Sequence, residues 1–279
     1  MRPVLAILRA VPLVVALGVG VGTAAGAQGG GEASTEHDRL GYVVDLDELD
    51  DPASIDAGEE LFRTGCVSCH GLGGVGAPSG PPLYDAGAAS AHFYLTTGRM
   101  PHTGSPEEQA TRKPPVYSPE EIEDLVAYVA SLGDGPPIPE VDPASASLQE
   151  GGDLYRAICA ACHSASGAGG ALSYGHNAPS LDEATPVQIY EAMLIGPGQM
   201  PKFDAYSEEE LDSIVAYVGQ LQRLEDPGGL SLGRVGPIPE GFVAIVIGTG
   251  GTMLAALLIG RRLHDDADPA SPSAQEEER

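Results

Sequence analysis

The chain has 279 residues and a formal charge of −26, from 40 acidic against 14 basic side chains. A surface this acidic excludes nucleic acid as a partner, because phosphate recognition needs clustered Lys and Arg. The length suits two small domains with additional segments, and the lack of tryptophan beside 38 Gly and 24 Pro predicts compact, loop-rich domains.

Residues 1–27 have the layout of a secretory signal. Arg2 and Arg9 form a basic start, residues 11–21 are apolar, and Ala25-Gly26-Ala27 is an A-x-A-like cleavage site. The pattern favours cleavage after Ala27; the alternative is an uncleaved N-terminal membrane segment. Either one places the rest of the chain outside the cytoplasm. Residues 28–52 form an acidic polar leader carrying Asp45, Asp47, Glu48, Asp50 and Asp51. It reads as an extended stretch rather than a core element.

Two copies of one pattern follow, in residues 53–133 and 146–224. Cys66-Val67-Ser68-Cys69-His70 recurs as Cys159-Ala160-Ala161-Cys162-His163, and these motifs use all four cysteines. Cys-x-x-Cys-His is the attachment signature of c-type haem. Two thiols at this spacing lie on one helical turn and reach the two vinyl groups of one porphyrin, with the adjacent histidine beneath the iron. A zinc ribbon would bring its cysteine pairs together on short knuckles, whereas here a domain's length separates them. A thioredoxin-like pair needs a βαβ pattern that the sequence lacks. Two covalently bound haem c groups are therefore expected, and covalent attachment of this kind agrees with an extracytoplasmic compartment.

The copies match beyond the cysteines. Gly58 to Arg63 precedes the first motif as Gly151 to Arg156 precedes the second, each an amphipathic entry helix. Pro81-Pro82-Leu83 corresponds to Pro179-Ser180-Leu181, and Gly98-Arg99-Met100-Pro101 to Gly198-Gln199-Met200-Pro201. Each copy closes with a helix opened by a capping box, Ser118 with Glu121 and Ser207 with Glu210. Ile122, Leu125, Val126 and Val129 form one apolar stripe; Leu211, Ile214, Val215 and Val218 form the other. One difference stands out: His102 to Pro115 is an insertion found only in the first copy, with Arg112-Lys113 conspicuous in so acidic a chain. It reads as a solvated surface loop, with a docking loop as the alternative.

His70 and His163 are the expected proximal ligands. Met100 and Met200, each in a Gly-x-Met-Pro turn, are the expected sixth ligands; a thioether stabilises reduced iron and closes the site to oxygen or peroxide. Met193 competes with Met200 but has no counterpart in the first copy. His92, His102 and His176 would offer bis-histidine ligation, but their positions do not match between copies.

Residues 134–145 are a proline-rich, semi-rigid linker between the domains, and 225–239 a second glycine–proline linker. Residues 240–260 are expected to form a transmembrane helix, because the run from Phe242 to Ile259 is uncharged and about long enough to span a bilayer. Arg261 and Arg262 follow directly, so the positive-inside rule puts the 261–279 tail in the cytoplasm and the repeats outside. Gly248, Gly250 and Gly251 would permit close helix packing.

Helix, haem motif, glycine–proline loop, methionine and closing helix in this order resemble the class I cytochrome c fold. In that fold the first and last helices cross, with Gly58 and Gly151 as close-approach points and Phe62 and Tyr155 packing on Tyr128 and Tyr217. The fold class is thus mainly α: two tandem class I cytochrome c domains plus one C-terminal transmembrane helix. The chain as a whole resembles the dihaem cytochrome c subunit of the actinobacterial cytochrome bc1-type complex. Thr97 to Pro101, Arg112-Lys113-Pro114-Pro115, Gly169 to Ser173, Met200-Pro201-Lys202-Phe203 and the Pro237 to Arg262 anchor carry the resemblance. It implies a subunit of a menaquinol–cytochrome c reductase in the cell membrane, partnered by cytochrome b and Rieske iron–sulfur subunits. Electrons would pass from the Rieske cluster through both haems to a terminal haem–copper cytochrome c oxidase. The carried-over residues are Cys66, Cys69, His70 and Met100 for one haem, and Cys159, Cys162, His163 and Met200 for the other; no catalytic residue is implied. A free-standing membrane-anchored dihaem carrier and a dihaem peroxidase are the alternatives.

Overall fold

A computed structural model describes residues 32–105, 108–224 and 237–267. The signal segment, the start of the leader, most of the second linker and the end of the tail lie outside the described residues.

Both repeats build the same frame. In the first, α2 (Pro52–Gly65) crosses α5 (Pro119–Ser131); in the second, α6 (Leu148–Leu154) crosses α9 (Glu208–Arg223). The crossing is tight because glycine permits it. A Cβ on Gly58 would lie 1.9 Å from the Asp124 carbonyl, and one on Gly151 1.8 Å from that of Ser213. Phe62 sits 5.1 Å from Tyr128 and Tyr155 5.4 Å from Tyr217, as the resemblance implies. Both capping boxes form, with Ser118 and Ser207 each accepting from the backbone of the glutamate three residues on. The apolar stripes of α5 and α9 are buried.

Two further helices, α4 (Gly87–Thr96) and α8 (Pro186–Ile195), pack against each other and join the repeats. They are corresponding elements of the two copies, each ten residues long. At their sixth positions His92 and Glu191 meet with neither side chain exposed, Nδ1 to Oε1 at 2.7 Å. The Val43 backbone N–H donates to His92 Nε2, so Nδ1 carries the imidazole proton and donates to Glu191. Burial pushes the Glu191 carboxyl up to about 7, opposed by the hydrogen bond from His92. Its Oε2 is buried with no hydrogen-bond partner.

Two expectations need correction. The acidic leader is not simply extended: it forms α1 (Glu32–Leu40), and Val44 is buried in the core. The Tyr42 hydroxyl donates to the Pro139 carbonyl and accepts from the Val141 amide, so the leader clamps the 134–145 linker, whose Ile138 and Val141 are also buried. The charges of the leader stay at the surface while its few apolar residues turn inward. The 102–115 insertion is not a free surface loop either. Arg112 donates to Gln188 Oε1 from both terminal nitrogens, at 3.1 and 2.7 Å, and to the Glu183 carbonyl at 2.8 Å. The Gln109 amide pairs with the Asn177 backbone in both directions. The insertion straps the first domain to the second.

The C-terminal α10 (Pro237–Ala267) contains one apolar stretch, Gly241–His264, whose 24 residues are long enough to cross a bilayer. At about 1.5 Å per residue it spans ~36 Å, and its side chains are exposed.

Candidate haem sites

Each Cys-x-x-Cys-His motif is a short helix, α3 (Val67–His70) and α7 (Ala160–His163), entered from the preceding helix. The first entry is a continuous α-helix that ends at Cys66. The second widens into a π-turn over Tyr155–Cys159 before its motif. No disulfide joins the four cysteines, although each pair lies close in sequence. Burial raises Cys66, with Cys69 adding to it, and pushes Cys159 up to about 11, with Cys162 adding to it. Among the described residues no three His, Cys, Asp or Glu side chains converge, so the two pairs do not assemble as a zinc ribbon would.

The histidines are held identically. His70 Nδ1 lies 2.9 Å from the Pro81 carbonyl, and His163 Nδ1 lies 3.0 Å from that of Pro179. A carbonyl only accepts, so Nδ1 is protonated in both rings and Nε2 carries the lone pair. This is the outer hydrogen bond that fixes the tautomer and orientation of a ligating imidazole. Burial also lowers the His163 pKa, partly offset by the Pro179 carbonyl, which keeps the ring neutral.

The loops that present these prolines follow one plan. Gly76 N donates to the His70 carbonyl and Gly169 N to that of His163; Leu83 N donates to Gly74 and Leu181 N to Gly167. Cβ atoms on Gly80 and Gly170 would approach the carbonyls of Cys69 and Cys162, at 2.6 and 3.0 Å. The residue after each histidine has a positive φ, 76° at Gly71 and 63° at Ser164. Ser164 holds this strained conformation through local bonds: its hydroxyl accepts from Ala168 N, and its carbonyl accepts from the Tyr155 hydroxyl.

Met100 and Met200 are half-buried and pack against the core. The Met100 turn rests on the end of the insertion: Lys113 N donates to the Thr97 carbonyl, and Gly98 lies so close that a Cβ would meet the Lys113 carbonyl at 2.1 Å. Met193 is 2% exposed in the second core, which is the position of a packing residue. His92 is committed to Glu191 and Val43, and His102 bonds the Glu108 carbonyl and the Gly104 amide within its own loop. His176 is partly buried beside the two-stranded ribbon of β1 (Gly170–Ala171) and β2 (Asn177–Ala178).

The residues present fit haem c in both domains: two cysteines on one turn with no disulfide between them, an imidazole whose Nδ1 is engaged so that Nε2 is available, and a thioether on a later loop. Pro81 and Pro179 were quoted from the sequence only as repeat markers; their carbonyls turn out to orient the ligands. Arg112 and His92 stand out in the sequence, but their partners Gln188 and Glu191 do not. Thr185-Pro186-Val187-Gln188 is a capping box with proline at the first helical position, and it signals α8 directly.

Two family models match the chain. The one described as Cytochrome c covers residues 55–133, and Cytochrome C oxidase, cbb3-type, subunit III covers residues 146–218. The Cytochrome bc1 complex cytochrome c subunit of Mycobacterium leprae is 41% identical over 230 residues, covering 78% of this chain and 79% of that protein. Its namesake in Corynebacterium efficiens is 38% identical over 235 residues, 77% of this chain and 79% of that protein. The Cbb3-type cytochrome c oxidase subunit FixP of Sinorhizobium medicae is 27% identical over 176 residues, 60% of this chain and 57% of that protein.

Proposed function

Because the chain belongs to the family of cytochrome c subunits of the cytochrome bc1 complex, we propose that it carries electrons through two haem c groups, from a Rieske iron–sulfur subunit to a terminal haem–copper oxidase. Haem c supplies a one-electron Fe(III)/Fe(II) couple. Cys66 and Cys69 hold one group and Cys159 and Cys162 the other. His70 with Met100, and His163 with Met200, are the axial pairs. The carbonyls of Pro81 and Pro179 fix the tautomer and aim of both imidazoles, and a soft thioether on the other face favours the reduced state.

The observation that carries this reading is the duplicated Nδ1 bond, made by the same loop in both domains of one chain. Two ligand-ready histidines in domains strapped by Arg112 and the α4–α8 contact suit transfer between fixed centres better than independent carriers. Electron transfer requires no nucleophile or general base. The subunit acts within a quinol–cytochrome c reductase, with cytochrome b as a further partner. Helix α10 would anchor it in the cell membrane, and the positive-inside rule applied to Arg261 and Arg262 supports a cytoplasmic C-terminal end with the haem domains outside.

Affinity purification in mild detergent tests the assembly. Haem b and haem a are expected to co-purify with haem c. A preparation containing haem c alone would reduce the protein to a free-standing anchored carrier.

A further inference from the structure

The two methionine turns differ in charge. Arg99 precedes Met100, whereas Gln199 precedes Met200. The Arg99 guanidinium lies 4.9 Å from the centre of the Phe93 ring, and its Nη1 is buried with no hydrogen-bond partner. The charged or titratable groups that act on it are Arg112, a second cation, and the Tyr94 hydroxyl, whose own ionisation burial suppresses. Among the described residues no carboxylate acts on it. Arg112 differs: Glu183 and Gln188 compensate it. On α8 the positions corresponding to Phe93 and Tyr94 are Ala192 and Met193, so the second domain lacks both a cation directly before its methionine and the aromatic clamp; its Lys202, beyond Pro201, is exposed.

A cationic guanidinium whose inner nitrogen is buried without a partner among the described residues is costly unless something anionic meets it. The porphyrin of the first domain brings two carboxylates, and the reading of Met100 as a ligand of that haem puts Arg99 one residue from the iron's sixth position. We propose that Arg99 is the counter-charge for the carboxylates of the first domain's haem, and that it sets this haem's reduction potential above that of the second. With the guanidinium present, the haem carboxylate charge is neutralised and reduced iron is favoured. Where glutamine stands, that negative charge acts undiminished and stabilises ferric iron. The inference rests on the proposed ligation by Met100.

The test is a potentiometric titration of the full-length chain in detergent, followed by haem absorbance. Wild type gives two waves, and Met100→His, which exchanges thioether for imidazole, marks the wave of the first domain. That wave is expected to be the upper one. Arg99→Gln lowers it by about tenfold in the Fe(II)/Fe(III) equilibrium, ~59 mV for a one-electron couple, and leaves the lower wave in place. Arg99→Lys, which keeps the charge, retains most of the upper potential. The inference is overturned if Met100→His moves the lower wave, if Arg99→Gln shifts neither wave or both equally, or if Arg99→Lys falls as far as Arg99→Gln. Haem content and the sulfur–iron charge-transfer band separate the two levels. A chain with one haem, or a band indifferent to Met100→His, overturns the ligation and the inference together. Two haems, an altered band and an unmoved upper wave overturn the inference alone.

Discussion

The two haem domains share a frame and differ in what surrounds it. Both have a glycine where the helices cross, a tyrosine packed on the entry helix, and a proline carbonyl on the histidine Nδ1. Only the first has a partly buried cation directly before its methionine, set on an aromatic ring, and the insertion that reaches across to its neighbour. Only the second enters its motif through a π-turn and places serine, not glycine, at the positive φ after the histidine. What is common is what the iron requires. What differs lies on the methionine side and at the seam, where two otherwise equivalent centres acquire different potentials and a fixed relation.

The largest expected effect breaks the common frame. Gly58→Ala or Gly151→Ala drives a methyl into a backbone carbonyl at under 2 Å, and each is expected to cost about 3 kcal/mol or more. Thermal unfolding of the holoprotein should show losses of similar size in the two variants. A large loss in one and a small loss in the other would contradict the equivalence of the frames.

The seam comes next. Arg112→Ala removes the bonds to Gln188 and to the Glu183 carbonyl, an expected loss of about 2 kcal/mol. Hydrogen exchange should rise at residues 109–113 and at the start of α8 while the helix crossings stay protected.

The seam also titrates. Burial raises Glu191 from 4.5 to about 7, so the folded state holds this proton more tightly than the unfolded state. The stabilising contribution is therefore complete below about pH 4.5 and is lost as pH rises through about 7. Stability measured across this window is expected to fall with pH, by at most ~3 kcal/mol from this group. Glu191→Gln should flatten that part of the profile, and an unchanged slope would assign the dependence to other groups. The smallest effect compares the closing helices. Ser118→Ala and Ser207→Ala each remove one capping bond of the same geometry, an expected ~1 kcal/mol apiece.

The parts legible in the sequence are those governed by local chemistry or by duplication. Cys-x-x-Cys-His, the capping boxes and the glycines of the crossing can be read because each is a short pattern with one physical use. The repeat then supplies register: Met200 is preferred to Met193 by its match to Met100, and the structure places Met193 in the core. The seam was not legible, because Arg112–Gln188 and His92–Glu191 join residues 76 and 99 positions apart. Nothing local marks such pairs. The leader misled for a related reason: its many carboxylates hide the pair of residues, Tyr42 and Val44, that tie it to the core.

The central claim is that one chain holds two covalent haems in equivalent sites. Its most direct test is the haem retained per chain after acid–acetone extraction, read by pyridine haemochrome against protein content and by intact mass. The account predicts two haem c groups on each polypeptide. One group per chain, or haem that extracts freely from either domain, would contradict it.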